Sequence, residues 1–383
     1  MKRTSSDVMK IKNMVTIVSL IVSHPGINRK RVSELAGLSN QTVTNLVKEL
    51  LDMGALMEFQ LSERPQQGRP AIGLYFDYDG FHLISIEMTY NTARFFLHDL
   101  NGKVFSETSS SLSFGCDLRR ILLDGIRTVL GDMDPYSVSS IVLNAEGVLD
   151  ENSCTLTYIK SLGVKDFDVR KALSEIPIPV WAVNDVNFIA FDAMERSQDI
   201  QNFIVVKYAS GTGASTALNR NIARTGRHNM PGKFSHMKLI RPGEHRKCWC
   251  GGENCLGTFF NKDALEEIYG MPYLEVIGHV ADGKIPELRN DMVEVIGGVL
   301  VNIVTLLGLE RIYFCGESFD ILGDGFISEI DYYIRDKVPL WIGYTGIEHI
   351  AIKPSPILSS RFYLHIVLEN VFEYLEENDR CRS

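Results

Sequence analysis

The stretch INRKRVSELAGLSNQTVTNLVKELLDMG, residues 27–54, decides how the amino-terminal part of the chain folds. Val32 and Leu35 put an apolar edge on a short helix from about Asn28 to Leu35. Ala36-Gly37-Leu38 turns the chain, and Ser39 is placed to cap a further helix running to about Met53. That helix buries Val43, Leu46, Val47, Leu50 and Leu51, and Gly54 ends it. Upstream, Val8, Ile11, Val15, Val18 and Val22 recur at three and four, predicting a first helix broken by His24-Pro25-Gly26. Two helices joined by a short glycine-containing turn make a helix-turn-helix. The side chains left facing out are Asn40, Gln41, Thr44, Asn45 and Lys48. Amides, a hydroxyl and a cation suit base edges and phosphates of a DNA groove. Leu56-Met57-Glu58-Phe59 and Leu74-Tyr75-Phe76 then read as the strands of a β-wing, with Arg64 and Arg69 near its tip.

Charge agrees with that reading. Residues 1–76 hold ten Lys/Arg against six acids, so this segment carries +4 and leaves −13 of the total −9 on the rest of the chain. A basic head on an acidic body is the pattern of a nucleic-acid module fused to something else. With 45% hydrophobic and 23% charged residues in 383, the composition is that of a folded protein of two or three domains. No run approaches about 18 uninterrupted apolar residues, and the basic amino terminus lacks a signal-peptide core, so a cytoplasmic protein is expected. Seven cysteines, four of them dispersed, argue against a disulfide framework.

After Asp77 strands take over. His82–Glu87 and Thr92–His98 lead through a polar turn to a third strand, followed by a helix near Leu118–Leu130 and a strand at Ser139–Leu143. A related pattern recurs at Phe203–Tyr208 and Ala214–Leu218, with helices at about Asn261–Ile268, Leu274–Ala281 and Asn290–Leu307 before a strand at Arg311–Cys315. Two similar α/β lobes with a cleft between them follow from this order.

These residues resemble the ROK group, which takes in sugar-responsive repressors of the NagC/XylR type and sugar kinases. The helix-turn-helix text ISRxELAxLTGLSxxTVSxxVxELxxxG is echoed by Ile27–Gly54, and the wing's GRP by Gly68-Arg69-Pro70. DxGGTKxxxxLxDxxGxV aligns with Glu87 through Val104, anchored by Asp99, Gly102 and Val104. Asn184-Asp185, Gly211-Thr212-Gly213, Gly232-Lys233-Phe234-Ser235-His236 and a cysteine cluster resembling CxCGxxGCxE complete the match. The resemblance implies an actin-like, ribonuclease-H-like body. The expected division is a winged helix-turn-helix over 1–78, a first lobe over 79–198 and a second lobe over 199–357 with the zinc loop and dimer interface. A carboxy-terminal helix at about 358–378 is expected to pack back on the first lobe.

Cys248, Cys250 and Cys255 put three thiols on a glycine-bent loop, and one imidazole would complete a closed, structural zinc site. The resemblance supplies His236, twelve residues before Cys248, while His245 lies three before it and competes.

Phosphate cradles use glycine because a Cβ blocks approach of the amides. Kinases of the group would need Gly where this chain has Thr89 and Tyr90, and again at Ser215 and Thr216. Asp185 matches the catalytic base, but a base without a cradle cannot transfer a phosphoryl group, so no enzyme and no ATP are expected. In the sugar pocket Asn184, Asp185 and His236 match, whereas Lys233 and Gly257 stand where the family has glutamates. The exchange predicts an acidic or phosphorylated sugar as effector, with Gly257 opening space beside it.

The expected protein is a DNA-binding transcriptional regulator, a repressor of carbohydrate-metabolism genes. It would bind a palindromic operator as a homodimer or tetramer and sense a carbohydrate-related molecule away from any membrane. The alternatives are a ROK sugar kinase with a DNA-binding head, and a regulator controlled by a protein partner without a sugar ligand.

Overall fold

The computed structural model describes residues 5–60, 72–197, 199–223, 232–241, 243–351, 356 and 358–364. Arg64 and Arg69, with the rest of the expected wing tip, lie outside the described residues, as does 365–378 of the expected carboxy-terminal helix.

The amino-terminal unit consists of α1 (Ser5–Ser23), α2 (Arg29–Ala36) and α3 (Asn40–Asp52), followed by the antiparallel pair β1 (Leu56–Gln60) and β2 (Ile72–Phe76). Asn28 caps α2 by accepting from the Arg31 amide at 2.9 Å, and Ser39 caps α3 by accepting from the Thr42 amide at 3.1 Å. Gly37 closes α2 in the left-handed region at φ +65°, which a glycine adopts without strain. Ile17, Ile21, Val32, Val43, Leu46, Val47, Leu50, Leu56 and Leu74 form its core. Two expectations are corrected. On α1 the buried edge is Ile17 and Ile21 rather than the Val15–Val18–Val22 edge, because residues 14–22 are apolar on nearly every side and spacing alone does not select one. Leu35 is exposed, since the short α2 turns only Val32 and Ser33 inward.

The body holds two five-stranded sheets of the same topology. The first comprises β3 (His82–Met88), β4 (Thr92–Asp99), β5 (Val104–Ser111), β6 (Val138–Ala145) and, later in the chain, Val180–Asn184, in the order last-β6-β3-β4-β5. Helix α4 (Leu118–Leu130) covers it so closely that a Cβ on Gly125 would meet the Phe95 ring at 2.4 Å. Between β6 and that final strand the chain forms a small antiparallel sheet from β7 (Val148–Asp150), β8 (Thr155–Ile159) and β9 (Val164–Asp168), then the short α5 (Val169–Ala172). Sequence reading did not anticipate this sheet. Its strands are three to five residues long with mixed polarity, too short for a periodic signal.

Strand β10 (Val180–Asn184) leads directly into α6 (Asp185–Arg196). The second sheet follows: β11 (Phe203–Tyr208), β12 (Thr212–Leu218) and β13 (Asn221–Ile222), then α7 (Gly257–Phe260), α8 (Lys262–Tyr269), α9 (Tyr273–Ala281), α10 (Pro286–Leu307), β14 (Arg311–Cys315), α11 (Glu317–Lys337) and β15 (Gly346–His349). Its order is β13-β12-β11-β14-β15. Helix α6 joins the two lobes, because Val186, Ile189, Ala190 and Ala193 share one core with Val142 and Val183 of the first sheet and Phe203, Val205 and Ala217 of the second.

Leu358 and Phe362 of the carboxy-terminal segment enter the same core, with Phe362 at 5.5 Å from Phe188 between ring centroids. The Ser360 hydroxyl donates to the Asp99 carbonyl at 3.2 Å, while Tyr363 and Leu364 pack against the amino-terminal core. Helix α10 is long and apolar enough to cross a membrane by length and composition, although charged residues interrupt its apolar run. Its Leu288, Met292, Ile296, Leu300 and Val304 are buried in the core of the second lobe.

Candidate functional site

Three places gather the residues singled out from the sequence. On α3 the buried edge of Val43, Leu46, Val47 and Leu50 forces Asn40, Gln41, Thr44, Asn45 and Lys48 outward, and all five are exposed. Gln41 Nε2 donates to Asn45 Oδ1 at 3.1 Å, and the Thr44 hydroxyl donates to the Asn40 carbonyl at 2.7 Å. The result is a contiguous polar strip on a capped, packed helix.

A second cluster, of charged and amide side chains, lies at the carboxyl ends of β6 and β10. Their parallel register pairs Asn184 with Ala145, so the chain leaves the two strands at the same level. Asn184 caps α6 by accepting from the Val186 amide at 3.2 Å, and its amide nitrogen donates to the Gly147 carbonyl at 3.1 Å. Glu151 accepts from the Asn184 amide at 3.0 Å and from Asn187 Nδ2 at 2.8 Å. Asp185 and Lys233 both stand among the expected effector-binding residues, but Lys233 is not the direct partner of Asp185. Instead Lys207 of β11 binds it at 2.7 Å and also binds Glu146 at 2.6 Å. Burial favours the neutral form of Lys207, but the carboxylates of Asp185 and Glu146 outweigh it and raise its pKa. Burial lowers the pKa of Lys233, against the pull of Asp185 and Glu151.

Sequence reading missed Glu146, Glu151 and Lys207, since none belongs to a motif. With them the cluster carries three carboxylates and two ammonium groups, which removes the charge argument for an anionic effector. Gly257 opens no space either: a Cβ there would meet Asn261 Nδ2 at 2.5 Å and Ser235 Cβ at 3.2 Å. Asn261 is itself held there, accepting from the Thr212 hydroxyl at 2.9 Å.

The third place is the cysteine loop. His236, Cys248, Cys250 and Cys255 bring four ligand atoms within 4.8 Å of one another. Cys250 Sγ lies 3.7 Å from Cys255 Sγ, and His236 Nδ1 lies 3.5 Å from Cys248 Sγ. A tetrahedral zinc with Zn–S of about 2.3 Å has S···S edges of about 3.8 Å, so the donor set fits that ion, whereas a disulfide needs about 2.05 Å. His245 points away, 79% exposed and 3.6 Å from Glu253. Burial, then Lys233 and Lys238, lower the pKa of His236, favouring the neutral ring that ligates metal. Lys238 Nζ donates to the Glu253 carbonyl at 2.7 Å and sits 3.1 Å from Cys255 Sγ. Trp249, between two of the cysteines, stacks on Tyr158 of β8 at 4.8 Å, so the loop reaches across to the first lobe.

The ROK family model matches residues 83–336, two thirds of the chain. The chain belongs to the ROK family. The ROK regulators it resembles include the DNA-binding transcriptional dual regulator NagC of Escherichia coli, 26% identical over 268 residues that cover 68% of this chain and 65% of NagC. The xylose repressor of Bacillus subtilis is 24% identical, covering 67% of each chain. The match thus spans just under two thirds of NagC. Among solved structures, a ROK family transcriptional regulator, a homologue of the E. coli Mlc protein, has a TM-score of 0.77 at 20% identity, covering 94% of this chain and 98% of that one. A ROK hexokinase from Thermus thermophilus has a TM-score of 0.56 at 19% identity, over 75% and 99%. The body therefore has the α/β fold shared by ROK regulators and ROK kinases.

Where a kinase of this fold would place phosphate-binding glycines, the chain uses its side chains for packing and turns. The Thr89 hydroxyl donates to the Thr92 carbonyl at 3.3 Å in a tight turn. Ser215 is fully buried and donates to Asn187 Oδ1 at 2.7 Å. Gly316, just after β14, is required by the backbone, since a Cβ would meet the Tyr208 carbonyl at 2.5 Å.

Proposed function

We propose that the protein is a DNA-binding transcriptional repressor of carbohydrate-metabolism genes, acting in the cytoplasm without enzymatic activity. The observation that carries this reading is the exposed strip of Asn40, Gln41, Thr44, Asn45 and Lys48 on a capped helix, joined to a body whose relatives are named repressors. In this reading α2 and α3 are a helix-turn-helix, β1 and β2 are the wing, and α3 lies in a major groove. Lys48, Arg64 and Arg69 contact phosphates or the minor groove, while the amides and Thr44 read base edges. A homodimer on a palindromic site is supported by large apolar side chains left in solvent at the end of the second lobe, with Leu340 and Trp341 at 95% and 85% exposure.

Asn184, Asp185, Lys233 and His236, with Glu151 added, form the effector site. A neutral, hydroxyl-rich ligand suits its mixed charge better than an acidic one. His236 serves both places: Nδ1 faces the thiols and Nε2 remains for a ligand. His236, Cys248, Cys250 and Cys255 hold one zinc, which fixes the loop and does no chemistry.

The test is binding of the purified protein to fragments flanking its own gene, read by fluorescence anisotropy over a salt series. Lys48→Ala should weaken binding to all sequences and reduce the salt slope by about 1. Asn45→Ala should relax discrimination between operator and mutated operator. Binding independent of salt and unaltered in both variants would refute the DNA interface.

A further inference from the structure

The register that pairs Asn184 with Ala145 delivers the next residue of each chain segment, Asp185 and Glu146, to the same edge of the first sheet. Their side chains are only 14% and 24% exposed. Neighbouring carboxylates so placed repel each other unless a positive charge lies between them. A pair of carboxylate oxygens in such a position is what hard divalent cations take, usually with water or phosphate oxygens completing the shell.

In this protein the charge arrives from the other lobe. Lys207 extends from β11 of the second sheet and places its ammonium 2.6 Å from Glu146 Oε1 and 2.7 Å from Asp185 Oδ2. An ammonium is a compact point charge on a flexible stem, so it can sit where a small cation would. It is also covalently anchored and cannot be chelated or exchanged. The contact spans the junction of the two lobes beside α6, the helix whose core side chains belong to both.

We propose that Lys207 is a tethered counter-ion, a positioning residue that joins the lobes and keeps divalent cations, and with them metal-bound polyphosphates, away from Glu146 and Asp185. The role concerns the body alone and does not rest on the regulator reading. It accounts for two neighbouring carboxylates held at low exposure in a body with the kinase fold.

The experiment compares the full-length protein with Lys207→Met, which keeps the stem and removes the charge. Mg²⁺ is the probe because it takes oxygen ligands and leaves a thiolate cluster to softer metals. The unmodified protein should melt at the same temperature in chelator and in millimolar MgCl₂. K207M should melt lower in chelator and recover several degrees with MgCl₂. The double variant K207M/E146Q should not recover, and K207R should behave like the unmodified protein. If K207M fails to fold in chelator, circular dichroism should show it folded when prepared in MgCl₂. Failure to fold under both conditions, indifference of folded K207M to Mg²⁺, or an equal response from the unmodified protein would each overturn the proposal. DNA affinity plays no part in this readout, so its failure and that of the regulator reading are distinguishable.

Discussion

The cysteine loop and the Lys207 junction solve one problem in different ways. Each crowds groups that become negative together, three thiols in one and two carboxylates in the other, and each needs a positive charge to hold them. In the loop the four ligand atoms come from residues 236–255, and in our reading a zinc ion supplies the charge. At the junction the acids come from residues 146 and 185 and the cation from residue 207, so the chain supplies its own charge. The comparison teaches that an exchangeable ion leaves a compact motif in the sequence, whereas an internal ion pair leaves only scattered charged residues.

The largest expected effect tests the exchangeable half. Structural zinc sites carry apparent binding free energies of about 10–16 kcal/mol, and losing even part of that would dominate any other change here. Cys250→Ser should therefore lower metal content, measured by elemental analysis, together with the melting temperature. Metal-free protein of undiminished stability would break the comparison at its first term.

Next comes the internal half. Removing one member of a buried ion pair typically costs about 3–5 kcal/mol, and all three side chains here are less than a third exposed. Denaturant unfolding of Lys207→Met should show a loss of that order at neutral pH, with most of it restored in Lys207→Arg. The sign with pH follows from the raised pKa of Lys207. Its contribution is fully present below the unfolded value of about 10.4 and is lost only as pH rises through the higher folded value. A loss of this contribution between pH 6 and 9, as read from the difference between the unmodified protein and K207M, would contradict the assignment.

A smaller effect concerns the space beside the site. Gly257→Glu restores the residue type expected of the family, yet its side chain would meet Asn261 and Ser235. Overpacking of this kind costs about 1–3 kcal/mol, so the variant should be less stable and should not gain affinity for sugars by calorimetry. The smallest effect separates the two histidines. His245→Ala should keep full metal content and change stability by less than about 0.5 kcal/mol, while His236→Ala should lose metal. The opposite order would exchange their roles.

Local signals carried much of this molecule. The cap at Ser39, the helix over Leu118–Leu130 and the strands at Phe203–Tyr208 and Arg311–Cys315 appear where spacing and capping chemistry place them. The cysteine loop is legible for the same reason, since three of its four ligands lie within eight residues. What failed depended on which face a neighbour covers. Leu35 is exposed because α2 turns Val32 and Ser33 inward instead, and Ile17 and Ile21 are buried because α2, α3 and β2 pack on that side of α1. The β7–β9 sheet was missed because its strands are too short to show a period.

By itself the sequence determined the pattern of short capped helices, the order of the two α/β lobes, the family resemblance and the clustering of three thiols, all of which rest on residues close in the chain. Only the tertiary structure placed His236 rather than His245 beside the thiols, made Lys207 the direct partner of Asp185, brought in Glu146 and Glu151, and closed the space beside Gly257. The physical reason is that charge pairing and steric fit depend on distance in space. Here that distance is set by the register of β10 on β6 and by the packing of α6 between two sheets, neither of which has a local trace in the sequence.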